Sequence, residues 1–521
     1  MGSSALLVCV AATVVTILVA FVMMPRYKGR RRSRVSSESS SCLPLPPGPK
    51  GLPLLGSLLY FVGPLRSNPH RGLAALAQAY GHVASLRLAA GRRVVVVSSP
   101  AMAREALAKN DAALAARFVP DNVRAMSHGA SSLLFLPSSS ALWRQHRAVV
   151  GARFSSGLGL DMTRPIRERH ARRLSEHVRA AACSGAGGAG VDVREAVHGT
   201  VLNVISNILF SRDVVGLDLM RVRGAQVFRS LMAPVLQEWS RPNLSDALPF
   251  LAPLDLLGSR RRISKPLAQL YSFFDQEVIQ PRLASGDTHN DLLGVVLARH
   301  AKSKITRLDI TRFLTDMFIA ATDTSTVTVQ WAMVRLLCHP EKMEKVSAEV
   351  AARLGPNDFV QESDLDKLPY LHAVIKETLR LHPAVPLIPR EVVEDGVSLG
   401  GYAVPVGTAV VVNLWAIGRD PRVWDQPEEF MPERFLVEEA VMHAKAMDFT
   451  YRPFGAGRRV CPGMDYAARS VPLLLASILH KVRWRLPDGM APSDLDLRDR
   501  YGTVLELATP LFAVPVPVPA A

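Results

Sequence analysis

The stretch Pro453-Phe454-Gly455-Ala456-Gly457-Arg458-Arg459-Val460-Cys461-Pro462-Gly463 constrains this chain more than any other. Gly455 and Gly457 permit a tight backbone at positive φ. Pro462 suits the first turn of a helix expected over residues 462 to about 480. A lone cysteine in apolar sequence is usually a small buried hydrophobe. Cys461 is placed differently, between a glycine-rich loop and a helix start. There the backbone N–H groups and the positive helix end favour a thiolate. Cys9, Cys42, Cys183 and Cys338 are widely scattered. They give neither a disulfide framework nor the CxxC spacing of a zinc site, and a reducing compartment fits.

The rest of the chain reads as one large unit. It has 521 residues, yet no long Pro/Ser-rich spacer separates two complete patterns after residue 48. Periodic apolar helices dominate, with short strand-like runs at 93–97 and 408–412. The expected class is mainly α with a small β region. The VPVPVPAA tail cannot pack as a helix and reads as a surface strand end. Residues 5–24 are uncharged and mostly apolar, enough for about 30 Å of helix. Arg26, Lys28, Arg30, Arg31, Arg32 and Arg34 follow, and basic flanks stay on the cytosolic side. The division expected is a membrane anchor with its basic flank at 1–34, a linker and proline-rich hinge at 35–56, and a catalytic domain at 57–521. Net charge is +16, which suits anionic lipid or an acidic protein partner. No zinc-finger spacing or aromatic-rich RNA motif supports nucleic-acid binding. Residues 185–190 (GAGGAG) match a dinucleotide fingerprint in letters only, because a polar helix rather than a buried strand precedes them. Asn243-Leu244-Ser245 matches a glycosylation acceptor but stays unmodified in this topology.

Three further constellations carry chemistry. Glu377 and Arg380 stand at i,i+3 on one helix face, and Arg434 follows within PERF. A long helix is expected from about Leu308 to Leu337, with Phe313, Met317, Ala320, Ala321, Thr324 and Val327 on one face. Its small residues leave room for a diatomic ligand, and Asp323 and Thr324 offer a carboxylate and a hydroxyl for proton relay. Trp143 and Arg147 stand at i,i+4 and face the same way.

On these residues the chain resembles the cytochrome P450 superfamily, whose cysteine loop reads F-x-x-G-x-R-x-C-x-G. Phe454, Gly457, Arg459, Cys461 and Gly463 match it. The resemblance spans roughly residues 43 to 515 and implies the P450 fold, preceded here by one N-terminal transmembrane helix. It implies haem b with Cys461 as its iron ligand, a thiolate that favours O–O cleavage. Trp143, Arg147, Arg390 and Arg459 would neutralise the propionates, and Glu377, Arg380 and Arg434 would form a buried structural triad. Asp323 and Thr324 match the acid–alcohol pair, while Ala321 replaces the usual glycine. The activity implied is monooxygenation, with electrons from NADPH through a cytochrome P450 reductase, and with cytochrome b5 as a further partner. The location implied is the endoplasmic reticulum membrane, single-pass, with the catalytic domain facing the cytosol. The chain is most similar to the plant microsomal group that includes geraniol 8-hydroxylase, so a small hydrophobic terpenoid is the expected substrate. The competing readings are a haem-thiolate isomerase or dehydratase that uses no O2, and a monooxygenase of fatty acids or phenolics. The intact acid–alcohol pair favours oxygenation. Segments 118–136, 230–255, 313–325, 384–389 and 501–504 are expected to face substrate, with Asn122, Ser127, His128 and Thr503 as their polar groups.

Deleting residues 1–34 is expected to release most of the protein from membranes while leaving a haem-binding domain. A truncated chain as resistant to alkaline carbonate extraction as the full chain would contradict a single anchor.

Overall fold

The computed structural model describes residues 43–518, apart from 53–55, 58–59, 61–62, 64, 66, 89–91, 184–189, 216–222, 242, 287–288, 301–304, 355–358 and 438–446. The anchor, its basic flank and the linker expected before residue 43 lie outside the described residues, as does nearly all of the glycine run at 185–190. Among the described residues no helix is long and apolar enough to cross a membrane.

From Pro44 onward the chain forms one unit. In order, the elements used below are α1 (Pro69–Tyr80), β1 (Val83–Arg87), β2 (Arg93–Val97), α2 (Ala141–Phe154), α3 (Gly157–Cys183), α4 (Val193–Phe210), α5 (Arg223–Ser240) and α6 (Ser259–Phe273). There follow α7 (Arg307–Cys338), α8 (Pro340–Leu354), α9 (Pro369–Leu381), β3 (Leu387–Glu391), β4 (Ala409–Asn413) and α10 (Met464–Leu479). The last are β5 (Val482–Arg485), β6 (Asp499–Tyr501), β7 (Leu505–Leu507) and β8 (Phe512–Pro517). Helix dominates and strands sit early and late, as the periodicity predicts. Val514, Pro515, Val516 and Pro517 of the tail form the C-terminal part of β8, paired antiparallel with β5.

The central element is α7. Thr306 caps it reciprocally with Asp309, each side chain bonding the other's backbone N–H. Its 32 residues span about 48 Å. A helix apolar over most of its circumference must be covered on all sides. α4, α6, α8, α9 and α10 pack around α7. Trp331 is buried there, stacked on His382 at 3.7 Å with its indole N–H donating to the Leu505 carbonyl.

The small β region is one four-stranded sheet and several two- or three-stranded ones. Its order is β1-β2-β4-β3, with β2 and β4 parallel (Val94 opposite Ala409) and the other pairs antiparallel. Ala84, Leu86, Val96 and Leu387 enter one apolar cluster. Val83, Val95, Val97, Ile388, Val410 and Val412 enter another. Side chains alternate across a strand, so both faces of this sheet are covered. That explains the unbroken valine runs at 94–97 and 410–412, and it corrects one expectation. Leu387 and Ile388 are core residues, whereas Val385 and Pro389 on the same segment are exposed.

A buried charged knot ties α9 to the loop after β4. Arg380 donates bidentately to Glu377, 2.7 Å to each oxygen, and to the carbonyls of Gly418, Pro427 and Glu429. Glu377 also accepts from Met431 N–H at 2.8 Å and from Arg434 Nε at 3.0 Å. Glu377 and Arg380 side chains are fully buried, and every hydrogen-bonding nitrogen of Arg380 is used. Trp424 lies beneath both guanidiniums, 5.2 Å from Arg380 and 5.9 Å from Arg434. Arg380→Ala should strand the Glu377 charge and cost about 3–5 kcal/mol. The expected outcome is a lower melting temperature and poor haem content in the purified variant. Normal values for both would show that the knot is dispensable.

Candidate active site

The cysteine loop folds as its glycines require. Gly455 and Gly457 both sit at φ 71°. A Cβ on Gly457 would lie 2.3 Å from the Asp111 carboxylate and 2.4 Å from the Leu107 carbonyl, so no other residue fits that close approach. Asp111 accepts from Arg458 N–H at 2.8 Å and pairs with its guanidinium at 3.0 Å. Cys461 N–H closes the loop on the Phe454 carbonyl at 3.0 Å. Ser155 Oγ donates to the Pro462 carbonyl at 2.6 Å. The helix starts two residues later than expected, at Met464, with Gly463 as its cap. Pro462 therefore stands before the helix rather than in its first turn.

The electrostatics at the sulfur differ from the expectation that the helix end alone favours thiolate. Burial pushes the Cys461 thiol up, against the pull of Gly463 N–H, Arg147 and Arg117. Desolvation of a thiolate outweighs one N–H bond and two neighbouring cations. A metal ion bound at the sulfur would supply the missing positive charge.

Around the loop the structure gathers four arginines. Arg459 threads between backbone carbonyls, donating to Ala115 at 2.7 Å and to Leu136, and lies 4.8 Å over the Trp143 ring. Burial, then Arg117 and Arg147, push the Arg459 guanidinium down to about 9. Burial, then Arg117 and Arg459, push Arg390 down to about 9 as well. Burial likewise lowers Arg117 and Arg147. Arg117 donates to the Leu134 carbonyl at 3.2 Å, while its buried Nε has no protein acceptor. Crowded, desolvated cations with an orphaned N–H fit a dianionic ligand beside the cysteine, and the two propionates of haem match that demand. The structure thus brings Trp143, Arg147, Arg390 and Arg459 near one another. Arg117 was missed. Its only signal is a lone cation in the apolar run Ala115-Ala116-Arg117-Phe118-Val119.

Helix α7 carries the acid–alcohol pair. From Ile310 to Val334 every residue is buried except Ala320, which is exposed, and Ala321 and Thr324, which are half-exposed. The small-residue face is therefore the uncovered one. Thr324 Oγ1 donates back to the Ala320 carbonyl at 2.9 Å. Asp323 does not share that face. It is buried toward α4, with its Oδ1 3.4 Å from His198 Nε2.

Two expected polar groups are engaged elsewhere. His128 is fully buried, bonded to Tyr271 Oη at 2.6 Å and to Asp316 at 3.0 Å. Asn122 donates to the Glu238 carbonyl at 2.5 Å. Both hold the 121–130 segment against α5, α6 and α7. Asn243 is buried too, and its side chain caps Ser245 N–H at 3.3 Å.

Arg117→Ala should lower the melting temperature of the haem-loaded protein more than that of the haem-free protein. It removes a ligand-facing charge from the first and relieves cation crowding in the second. Equal losses in both forms, measured by calorimetry, would make Arg117 a purely structural residue.

A family profile described as Cytochrome P450 matches residues 46–509. Oryzalexin E synthase of Oryza sativa subsp. japonica is 43% identical over 497 residues, covering 93% of this chain and 94% of its own. Geraniol 8-hydroxylase of Catharanthus roseus is 41% identical over 478 residues, covering 90% and 94%. A zebrafish cytochrome P450 solved with progesterone superposes with a TM-score of 0.72 at 28% identity, covering 86% of this chain and 99% of that one. A match of that length, with relatives this similar across nearly the whole of both chains, makes this chain a member of the cytochrome P450 family.

Proposed function

We propose that this P450 monooxygenase hydroxylates a terpenoid, of monoterpenol or diterpene size. The observation that carries the reading is the similarity, over nine-tenths of the chain, to proteins named for hydroxylating geraniol and ent-cassadiene. The site chemistry supports it. Ala320, Val385 and Pro389 are exposed apolar groups on segments expected to face substrate. A fatty-acid enzyme would offer a cation to the carboxylate. Arg390 lies buried among Arg117 and Arg459 instead. Of the polar groups that could read a phenolic ring, Asn122 and His128 are already bonded within the protein.

The family uses haem and receives electrons from NADPH through a reductase, with O2 and a hydrophobic molecule as substrates. Bound haem supplies the iron at which dioxygen is activated. We assign the chain's own residues these parts. Cys461 would hold the iron, Arg117, Arg147, Arg390, Arg459 and Trp143 would seat the propionate side, and the Thr324 hydroxyl would hold a proton on the uncovered face of α7. The acid–alcohol pair favours oxygenation over isomerase or dehydratase chemistry, and cytochrome b5 is proposed as a second electron donor.

The same reading places the enzyme on the cytosolic side of the endoplasmic reticulum, anchored through residues 5–24. A second lipid contact is proposed at 249–257. Phe250, Leu254, Leu256 and Leu257 are exposed there, just before Arg260, Arg261 and Arg262. Those arginines pair with Asp121, Asp255 and Glu238, so the exposed apolar side chains carry the proposed contact with lipid.

Geraniol and labdane-type diterpenes should each be tested for a substrate-induced spin-state shift, then for product with reductase and NADPH. Tight shifts and turnover with lauric or cinnamic acid, and none with the terpenoids, would overturn the substrate reading alone. Thr324→Ala should keep haem and substrate binding but lose product per NADPH several-fold, with peroxide making up the difference. Unchanged coupling would remove Thr324 from the mechanism.

A further inference from the structure

We infer that His198 is the positioning residue for Asp323 and links it to solvent on the far side of α7 from the substrate. The inference rests on the monooxygenase reading above. Neighbouring residues on a helix point about 100° apart. Thr324 therefore opens toward the uncovered face while Asp323 enters the packed interface with α4, the helix most extensively packed on α7. A carboxylate so buried needs a partner. The His198 imidazole provides one, 3.4 Å from Asp323 Oδ1. The carboxylate side chain is 8% exposed and the imidazole 13%. His198 is thus the more exposed member of the pair.

The neighbouring charges do not substitute for it. On α4, one turn earlier, Arg194 is held bidentately by Glu506 of β7 at 2.9 and 3.2 Å. Glu195 lies in the first turn of the same helix, beside its cap Asp192. On α3, Arg173 pairs with Asp213 at 3.1 Å, and Arg169 donates to Asn207 at 3.0 Å, both toward the other end of α4. His170 also faces Asp213 there, 3.4 Å away. Asp316 on α7 is committed to His128 and Ser132.

The balance of the step is simple. A proton carried by the His198 imidazole passes to the Asp323 carboxylate, and from there toward the Thr324 side. Water then reprotonates the imidazole. No oxidant or reductant is needed. Without His198 the carboxylate loses one group that orients it and the group that refills it.

The test uses the full-length enzyme with reductase, comparing His198→Ala, His198→Gln and Thr324→Ala. Both His198 variants should keep the CO-bound thiolate band and the substrate spin shift. His198→Ala should lower product per NADPH several-fold and enlarge the solvent deuterium isotope effect on turnover. His198→Gln, which can still donate to Asp323 but cannot carry a proton, should hold the carboxylate in place without restoring the isotope effect. Independently of turnover, His198→Ala and Asp323→Asn should have non-additive effects on melting temperature, as expected for a contacting pair. Wild-type coupling and isotope effect in both His198 variants, alongside uncoupling in Thr324→Ala, would overturn the role of His198 alone. Wild-type coupling in all three would overturn the relay reading with it. Additive melting shifts would show that the pair is not coupled.

Discussion

Four arginines meet in the interior of this protein, and the arrangement of the site depends on how their mutual repulsion is resolved. Arg117, Arg147, Arg390 and Arg459 come from the end of the first α/β segment, from α2, from β3 and from the cysteine loop. Each loses hydration on burial, and each lowers the proton affinity of at least one other or is lowered by it. Backbone carbonyls of Ala115, Leu134 and Leu136 offset part of the cost. The rest is a standing demand for negative charge, met when an anionic cofactor enters. Two of the arginines, Arg147 and Arg117, also lean on Cys461 and draw the sulfur toward its ligating form, against the effect of burial.

The charged knot of Glu377, Arg380 and Arg434 works the opposite way. It is closed within the protein, with each charge answered by another and each remaining N–H by a carbonyl. Closed and open charge clusters thus lie in one interior. The closed one stiffens the framework, and the open one waits for a ligand. Helix α7 keeps a similar division along its own length, with packed faces toward its neighbours and one face of small residues left uncovered.

Much of this was legible in the sequence. The cysteine loop is readable because its glycines and arginine have no alternative use at that spacing. The Glu377–Arg380 pair is readable because i,i+3 neighbours must meet. The long helix was legible from its period, to within a residue or two at each end. What escaped did so for physical reasons. Arg117 belongs to no repeat, since its partners come from distant segments. Asp323 and Thr324 read as one unit in sequence, yet adjacent helical positions diverge, and only the packing of α4 decides which of them is buried. Leu387 and Ile388 resembled pocket lining because an apolar strand does not reveal whether one of its faces is open. The start of the helix after Cys461 was misplaced by two residues because Pro462 and Gly463 both suit a helix entrance.

The four-stranded sheet carries a consequence for how the chain reaches this state. Its β2 strand finds its parallel partner only when Val94 meets Ala409, from opposite ends of the domain. Such long-range pairing forms late, because loop closure must precede any reward. During synthesis the β1–β2 hairpin therefore emerges with the edge of Val94-Val95-Val96-Val97 unpaired until β4 arrives. A bare valine edge is a template for pairing with other chains. Slow translation or scarce chaperone should then harm this enzyme through that edge, before any cofactor has been met.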